Sequence, residues 1–189
     1  MQYLGSAFTP PGWRYRLWLA LLVAASIAFT LGFACAVPFA AFGAIAALTL
    51  PQRDALLLTV ALWLVNQVIG FTVLHYPWDG MTFIWGAVLG VVAVLSTAAA
   101  QTVTRGRSVI AASLAGFAAA FVVYEGSLYL VSALALGGTE DFTAAIVLRI
   151  FAINAAAFAA LLAASLLIAA AVGSRAGLPG RRAAPIGSR

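Results

Sequence analysis

The chain has 189 residues, of which 65% are apolar and 8% are charged. Soluble domains are about half apolar and about a quarter charged, so this composition excludes a soluble protein and indicates an integral membrane protein. The formal net charge is +5, and all 10 basic residues are arginines. These arginines lie between apolar runs or in the tails, which indicates a topology signal rather than a nucleic-acid-binding surface. The single cysteine, Cys35, excludes a disulfide within the chain.

Six apolar runs alternate with short polar stretches. A helix needs about 20 residues to cross about 30 Å of hydrocarbon, and most of the runs approach or exceed that length. The second run is shorter, which is typical of a re-entrant or core helix, although a short span is tolerated where neighbours cover its ends. The runs are 17–34, 37–50, 55–74, 80–100, 109–135 and 143–172.

The distribution of arginines favours six crossings. Merging the first two runs into one span would place Arg14 and Arg16 on the side opposite Arg53. With six spans, all the arginines between the runs share one side with the arginines of the tail, and the opposite side receives none. Because positive charge concentrates in cytoplasmic loops, the sequence predicts an all-α bundle of six transmembrane helices with both termini cytoplasmic. The arginines that precede or separate the runs are Arg14, Arg16, Arg53, Arg105 and Arg107.

The two ends of the chain differ from the apolar region. Residues 1–13 are rich in proline and glycine and are predicted to form an irregular lead-in. Residues 14–173 form the predicted transmembrane domain, and 174–189 form a disordered, Arg-rich cytoplasmic tail. The small residues at 34–36 also resemble a signal-peptide cleavage site, so retention or cleavage of the first helix stays open.

Two charged residues lie inside the predicted spans. At 1.5 Å per residue, Glu125 lies about 15 Å below the outer surface on the fifth helix, and Arg149 about 10 Å below it on the sixth. A charge inside a bilayer costs about 3 kcal/mol on insertion scales, and pairing is the usual remedy. We therefore expect Glu125 and Arg149 to interact, directly or through a ligand. The alternatives are a purely structural ion pair and an Arg149 side chain that extends to the outer interface.

Other polar and aromatic side chains fall at the same outer depth. Asn66 and Gln67 lie inside the third run, and buried amides need partners or a ligand because hydrocarbon offers none. An aromatic loop, 75–79, follows and caps the same side. This one-sided clustering predicts a pocket open to the outside. The expected substrate-binding residues are Trp63, Asn66, Gln67, His75, Trp78, Tyr124, Glu125, Tyr129 and Arg149, with Trp85 as a further stacking surface.

Less specific roles are also open for some of these residues. Tyr76 and Trp78 fit the aromatic belts that membrane proteins place at the bilayer interface. Asn66 and Gln67 fit side chains that cross-link neighbouring helices by hydrogen bonds. The aromatic loop and the amides therefore do not define a binding site by themselves.

Two further patterns predict helix packing. Asn154 lies about 140° round the sixth helix from Arg149, so an interhelical hydrogen bond is its expected role rather than a place in the pocket. Gly86 and Gly90 lie four residues apart on the fourth helix, and small residues at this spacing form a close-packing face.

Sequence signatures of catalysis are absent. The chain has no GxSxG, HExxH or Walker motif, and its carboxylates are too scattered for an acid–base pair. It has one histidine and one cysteine, too few for a typical metal site. The sequence therefore predicts a protein that is not an enzyme and needs no metal and no cofactor.

The first helix carries small residues at four-residue spacing, namely Ala20, Ala24, Ala28 and Gly32. Together with six helices, cytoplasmic termini and an outer pocket, this strip resembles the substrate-binding S component of energy-coupling factor vitamin transporters. The resemblance implies uptake of a vitamin or cofactor precursor across the bacterial inner membrane. It further implies that the strip docks on a membrane coupling protein, with cytoplasmic ATPases supplying the energy.

Three functions stay in competition at this point. The first is a substrate-binding membrane subunit for a small polar micronutrient. The second is a non-catalytic accessory or assembly subunit of a larger membrane complex, in which Glu125 and Arg149 form a structural pair. The third is a membrane enzyme, which would need a second catalytic group near Glu125 or His75. A cavity in the outer half of the bundle distinguishes the first function from the second.

Overall fold

The computed structural model describes residue 8 and residues 12–33 and 37–176. Every regular element in these ranges is a helix. A π-helical turn, Ser132–Leu136, continues the fifth helix, and a 3-10 turn, Thr139–Phe142, precedes the sixth. The helices are α1 Trp13–Phe33, α2 Phe39–Thr49, α3 Gln52–Thr72, α4 Gly80–Thr104, α5 Val109–Val131 and α6 Ala144–Ala176.

The predicted multi-pass helical bundle with a short second helix is confirmed. Five helices are long and apolar enough to cross a bilayer. The sixth, α2, is also apolar but shorter. Helix α6 extends to Ala176, slightly beyond the predicted end of the domain. Most of the predicted lead-in 1–13, the tail from 177 onward and the possible cleavage site at 34–36 lie outside the described residues.

Hydrogen bonds between helix ends establish the direction of each crossing. The Tyr15 hydroxyl donates to Asp54, so α1 and α3 start at the same end of the bundle. Trp18 Nε1 donates to Thr49 Oγ1 over 3.0 Å, which places the end of α2 beside the start of α1. Helix α2 therefore crosses back between two parallel helices. Helices α1 to α3 thus alternate in direction.

Helix α4 returns to the end where α3 begins. There Arg105 Nη2 donates to the Gln52 side chain over 2.6 Å, and Gln101 donates to the Gln52 carbonyl over 3.1 Å. The arginines at the starts of α1 and α3 and those that follow α4 therefore lie at one end of the bundle. We refer to the opposite end as the outer end, following the expected cytoplasmic position of the arginines.

Helix α2 is the centre of the bundle. Ten of its 11 residues are buried, and it packs against α3, α4, α5 and α6. Its length is about 16 Å at 1.5 Å per residue, well short of the hydrocarbon thickness. Five longer helices shield it from lipid, so its ends do not need to reach the membrane surface.

Both ends of α2 are bonded inside the protein. The Ala41 N–H, in the first turn of the helix, donates to Asn154 Oδ1 of α6 over 3.1 Å. At the other end the Leu50 N–H donates to the Ala46 carbonyl over 2.9 Å. First-turn N–H groups have no partner within their own helix, so a side chain from another helix must satisfy them inside a membrane. The interhelical role predicted for Asn154 is confirmed.

Close approach of α2 to α4 depends on Gly43. A Cβ atom added at Gly43 would lie 2.6 Å from Thr97 Oγ1 and 3.3 Å from the Thr97 Cα atom. The Thr97 hydroxyl also bonds to Thr59 of α3 at 2.9 Å. Thr97 therefore cannot move away without breaking a contact that joins three helices.

The Gly43→Val variant should lower the free energy of unfolding by about 1–3 kcal/mol, the usual cost of overpacking a dense core. Gly126→Val is the matched control, because no described atom lies within 4 Å of a Cβ at that position of α5. Both variants place a β-branched residue inside a helix, so intrinsic propensity cancels. Unfolding of the purified proteins in mild detergent is the measurement. Equal stability of the two variants would contradict the central position of α2.

Candidate functional site

A cavity of about 650 Å³ opens at the outer end of the bundle. It lies above the N-terminal end of α2, which contributes Phe39, and its walls come from α3 to α6. A volume of this size fits a drug-sized or vitamin-sized molecule. The predicted site residues that line it are Asn66, Gln67, Tyr124 and Glu125, together with Trp85 and the loop residue Tyr76.

Glu125 is the most unusual polar group of the cavity wall. Its side chain is 8% exposed, and neither carboxylate oxygen has a hydrogen-bond partner among the residues that the structure describes. A buried polar group without a partner is costly in a protein core and more so in a membrane. An unpaired carboxylate on a cavity wall indicates a group that a bound molecule can satisfy.

The predicted direct pair of Glu125 with Arg149 is wrong. Arg149 is exposed on α6 and does not line the cavity. The hydrogen bond from Ala41 to Asn154 fixes which face of α6 points into the bundle, and Arg149 lies about 140° round the helix from Asn154. The structure therefore favours the alternative in which the long arginine side chain extends away from the core.

The two amides of α3 form a hydrogen-bonded chain that ends on α1. Gln67 Nε2 donates to Asn66 Oδ1 over 3.3 Å, and Asn66 Nδ2 donates to Thr30 Oγ1 over 3.4 Å. The Thr30 hydroxyl proton goes to the Ser26 carbonyl, so Thr30 can only accept from Asn66. This order fixes both amide orientations. Asn66 thus cross-links helices and also lines the cavity.

Trp63 does not line the cavity but packs between α3 and α4 next to it. Its Nε1 donates to the Gly86 carbonyl over 2.8 Å. A Cβ at Gly90 would lie 2.6 Å from the Trp63 ring, and one at Gly86 would lie 2.6 Å from Gln67 Oε1. The glycine pair is therefore the close-packing face that its spacing predicted, and it lets α3 rest directly on α4.

The aromatic loop contributes Tyr76 but not His75. His75 adopts a left-handed backbone conformation, with φ of 55°, and its side chain is exposed. This turn brings the Tyr76 N–H to the Gly70 carbonyl at 3.0 Å. A Cβ at Gly70 would lie 2.5 Å from the Tyr76 ring, so the absence of a side chain at Gly70 admits the tyrosine to the cavity wall.

Trp78 and Tyr129 also lie outside the cavity wall. Trp78 is 76% exposed, and its ring packs 5.2 Å from that of Phe71 and 5.9 Å from that of Phe83. Such an exposed aromatic group at a helix end is typical of the membrane interface. Tyr129 is half exposed but packs edge-on against Phe142, which does line the cavity.

Residues that sequence reasoning missed complete the walls. Phe39 enters because α2 stops short of the outer surface. Leu89 and Leu128 also line the cavity. Because α4 and α5 are apolar on all faces, the sequence does not show which of their leucines face the cavity. The π-helical turn brings the chain round to Gly137 and Gly138, whose φ angles are 77° and 89°. A left-handed backbone strongly favours glycine, so the Gly-Gly pair was the sequence feature that could have predicted this turn. The remaining lining residues are Val37, Pro77, Met81, Thr82, Gly86, Leu136, Asp141, Phe142, Ile146 and Ile150.

No protein-family model, no curated protein and no solved structure matches the chain. The similarity to energy-coupling factor S components therefore stays a hypothesis. The strip on which it depends lies on the exposed face of α1. Within the described residues, no group of three His, Cys, Asp or Glu side chains is placed to hold a metal ion.

Asp79 fixes the start of α4, whose first turns carry Met81, Thr82 and Trp85 to the cavity. Its carboxylate accepts from the Thr82 N–H at 2.9 Å and from the Thr82 hydroxyl at 3.1 Å. The hydrogen bond from the Thr82 backbone is the main cause that lowers the pKa of Asp79. A lowered pKa in the folded state adds stability above the unfolded-state pKa, and this contribution disappears as the pH falls through the folded-state pKa.

The wild type should therefore lose stability relative to Asp79→Asn as the pH falls below about 4, the ordinary pKa of aspartate. Asparagine keeps the helix cap but cannot be protonated in this range. Thermal unfolding of both proteins from neutral to acidic pH is the measurement, and every other carboxylate cancels in the difference. Profiles that stay parallel through the acidic range would contradict this role of Asp79.

Proposed function

We propose that this multi-pass membrane protein is a substrate-binding subunit that holds a small polar solute in the outer cavity. The observation that carries the proposal is the buried Glu125 carboxylate, which has no partner in the described part of the chain. A charge in the hydrocarbon region costs about 3 kcal/mol even on the mildest scales. Such a cost in a cavity wall is expected where the group binds something.

The competing accessory-subunit function depends on a structural Glu125–Arg149 pair. Arg149 is exposed on α6 and does not pair with Glu125. The cavity lies at the outer end of the bundle, which is the position expected for a solute-binding site. Both observations support solute binding over a purely structural role. A micronutrient, such as a vitamin or a cofactor precursor, fits the volume of about 650 Å³.

Uptake of the solute would use partner subunits. Helix α1 packs chiefly on α3 and leaves Ala20, Ala24, Ala28 and Gly32 exposed. Small residues at this spacing let another helix approach closely within lipid. The proposed partner is a membrane coupling protein that recruits cytoplasmic ATPases, with the protein located in the bacterial inner membrane.

The proposal is tested by purifying the protein in mild detergent and identifying bound small molecules by mass spectrometry. The wild type and Arg149→Leu should carry the same solute in similar amounts. Glu125→Gln should lose at least about nine-tenths of it, since a tenfold loss of affinity corresponds to only about 1.4 kcal/mol. Ala24→Leu should keep the solute but lose co-purifying membrane partners.

Unfolding midpoints of all four proteins show whether each variant is folded. A folded Glu125→Gln variant that retains the full amount of solute would refute the role of the carboxylate. Absence of any bound solute from the wild type, together with no binding of added vitamins, would refute the binding function itself.

A further inference from the structure

Two carboxyl groups line the cavity at different heights. Glu125 lies in the wall formed by α5, and Asp141 lies in the exposed turn before α6. Among the residues that the structure describes, no lysine, arginine or histidine lines the cavity. Arg149 and His75 are exposed outside its walls. The two acidic side chains of the described walls therefore have no basic side chain opposite them.

The amide chain adds a hydrogen-bond acceptor to this surface. Gln67 donates to Asn66 and Asn66 donates to Thr30 of α1, so Thr30 fixes the orientation of both amides. Gln67 Oε1 lies on the Gly86 side and receives no hydrogen bond from any described residue. Both lining residues, Gln67 and Glu125, thus have an oxygen that can accept a hydrogen bond from a solute donor.

Aromatic rings form much of the remaining wall, contributed by Phe39, Tyr76, Trp85, Tyr124 and Phe142. The faces of aromatic rings carry partial negative charge and attract cations, most strongly where water is excluded. Such rings also stack on flat apolar bodies. The walls therefore suit a molecule that combines a positive group with an apolar or aromatic skeleton.

Helix dipoles favour negative charge instead, because α2, α4 and α6 all begin at the outer end and the first turn of each lines the cavity. The N-terminus of α2 points toward the outer end, and the helix dipole places partial positive charge there. The first-turn N–H of Ala41 is already bonded to Asn154, so it is not available to a ligand. The α2 terminus lies in the same cavity as the Glu125 carboxylate, so its dipole acts on a negative group that the protein itself supplies.

We propose that the solute is an organic cation, an ammonium or amidinium compound on an apolar or aromatic skeleton. Its N–H donors would bond to the Glu125 carboxylate and to Gln67 Oε1, and its skeleton would lie against the aromatic wall. Asp141 would attract the cation toward the cavity through long-range electrostatics. This inference rests on the proposed binding function and specifies the charge of its substrate.

The test uses three probes that share a phenyl ring on a short alkyl chain. They are 2-phenylethylamine, which is cationic, 2-phenylethanol, which is neutral, and 3-phenylpropanoate, which is anionic. Binding to the purified full-length protein is measured by titration calorimetry, with thermal stabilisation as a second readout. The amine should bind at least about tenfold more tightly than the alcohol, and the carboxylate should bind most weakly.

Three variants show which residues cause the preference for the amine. Glu125→Gln should abolish the advantage of the amine over the alcohol, and Arg149→Leu should leave it unchanged. Asp141→Asn should slow association of the amine and reduce the salt dependence of its rate. If Glu125→Gln does not fold, the comparison of the three probes on the wild-type protein still decides the charge preference.

Equal or tighter binding of the alcohol or the carboxylate would overturn the proposal. So would a folded Glu125→Gln variant that keeps the preference for the amine. If no probe binds although the wild type carries a Glu125-dependent solute, the cation assignment fails and the binding function stands. If the wild type carries no solute and no probe binds, both fail.

Discussion

The structure depends on one constraint: both ends of α2 lie inside the thickness of the membrane. Hydrocarbon cannot satisfy backbone N–H and C=O groups, so a helix of about 16 Å must find partners within the protein. Asn154 supplies one of them from α6, through the N–H of Ala41. The same shortness leaves space above Phe39, and α3 to α6 form the walls of that space. Helix α2 thus organises the core and, by ending early, creates the cavity.

Polar groups inside the bundle fall into two kinds. Thr59 and Thr97 bond to one another, and Asn66 bonds to Thr30, so their burial holds helices together. Glu125 differs, because the described part of the chain leaves both of its oxygens without a partner. Satisfied groups explain why the bundle is specific. Ser26, Gln101 and Ser113 also each have one buried oxygen without a described partner. Unlike them, the Glu125 carboxyl group lies on the cavity wall, where a bound molecule could reach it.

Depth was predictable from the sequence, whereas orientation round each helix was not. Counting residues from a helix end gives the height of a side chain, so Asn66, Gln67, Tyr124 and Glu125 were correctly expected to share one level. Uniformly apolar helices carry little amphipathic signal, since lipid and core favour the same side chains. Arg149 was misplaced for this reason, and Trp63 and Trp78 were assigned to a cavity that neither of them lines. The glycines at Gly70, Gly86 and Gly90 show their role only with the neighbouring ring or amide in place.

The position of the amide chain relates the cavity to the exposed face of α1. Gln67 lines the cavity, and its hydrogen bonds pass through Asn66 to Thr30, which bonds in turn to the Ser26 carbonyl. Ala28 lies between those two α1 residues in sequence and belongs to the exposed strip. Under the proposed function, a solute that bonds to Gln67 would act on the same polar contacts that hold α1 against α3. Since α1 has few other packing partners in the described bundle, these contacts are the most direct physical connection between solute binding and the surface that another membrane helix would meet.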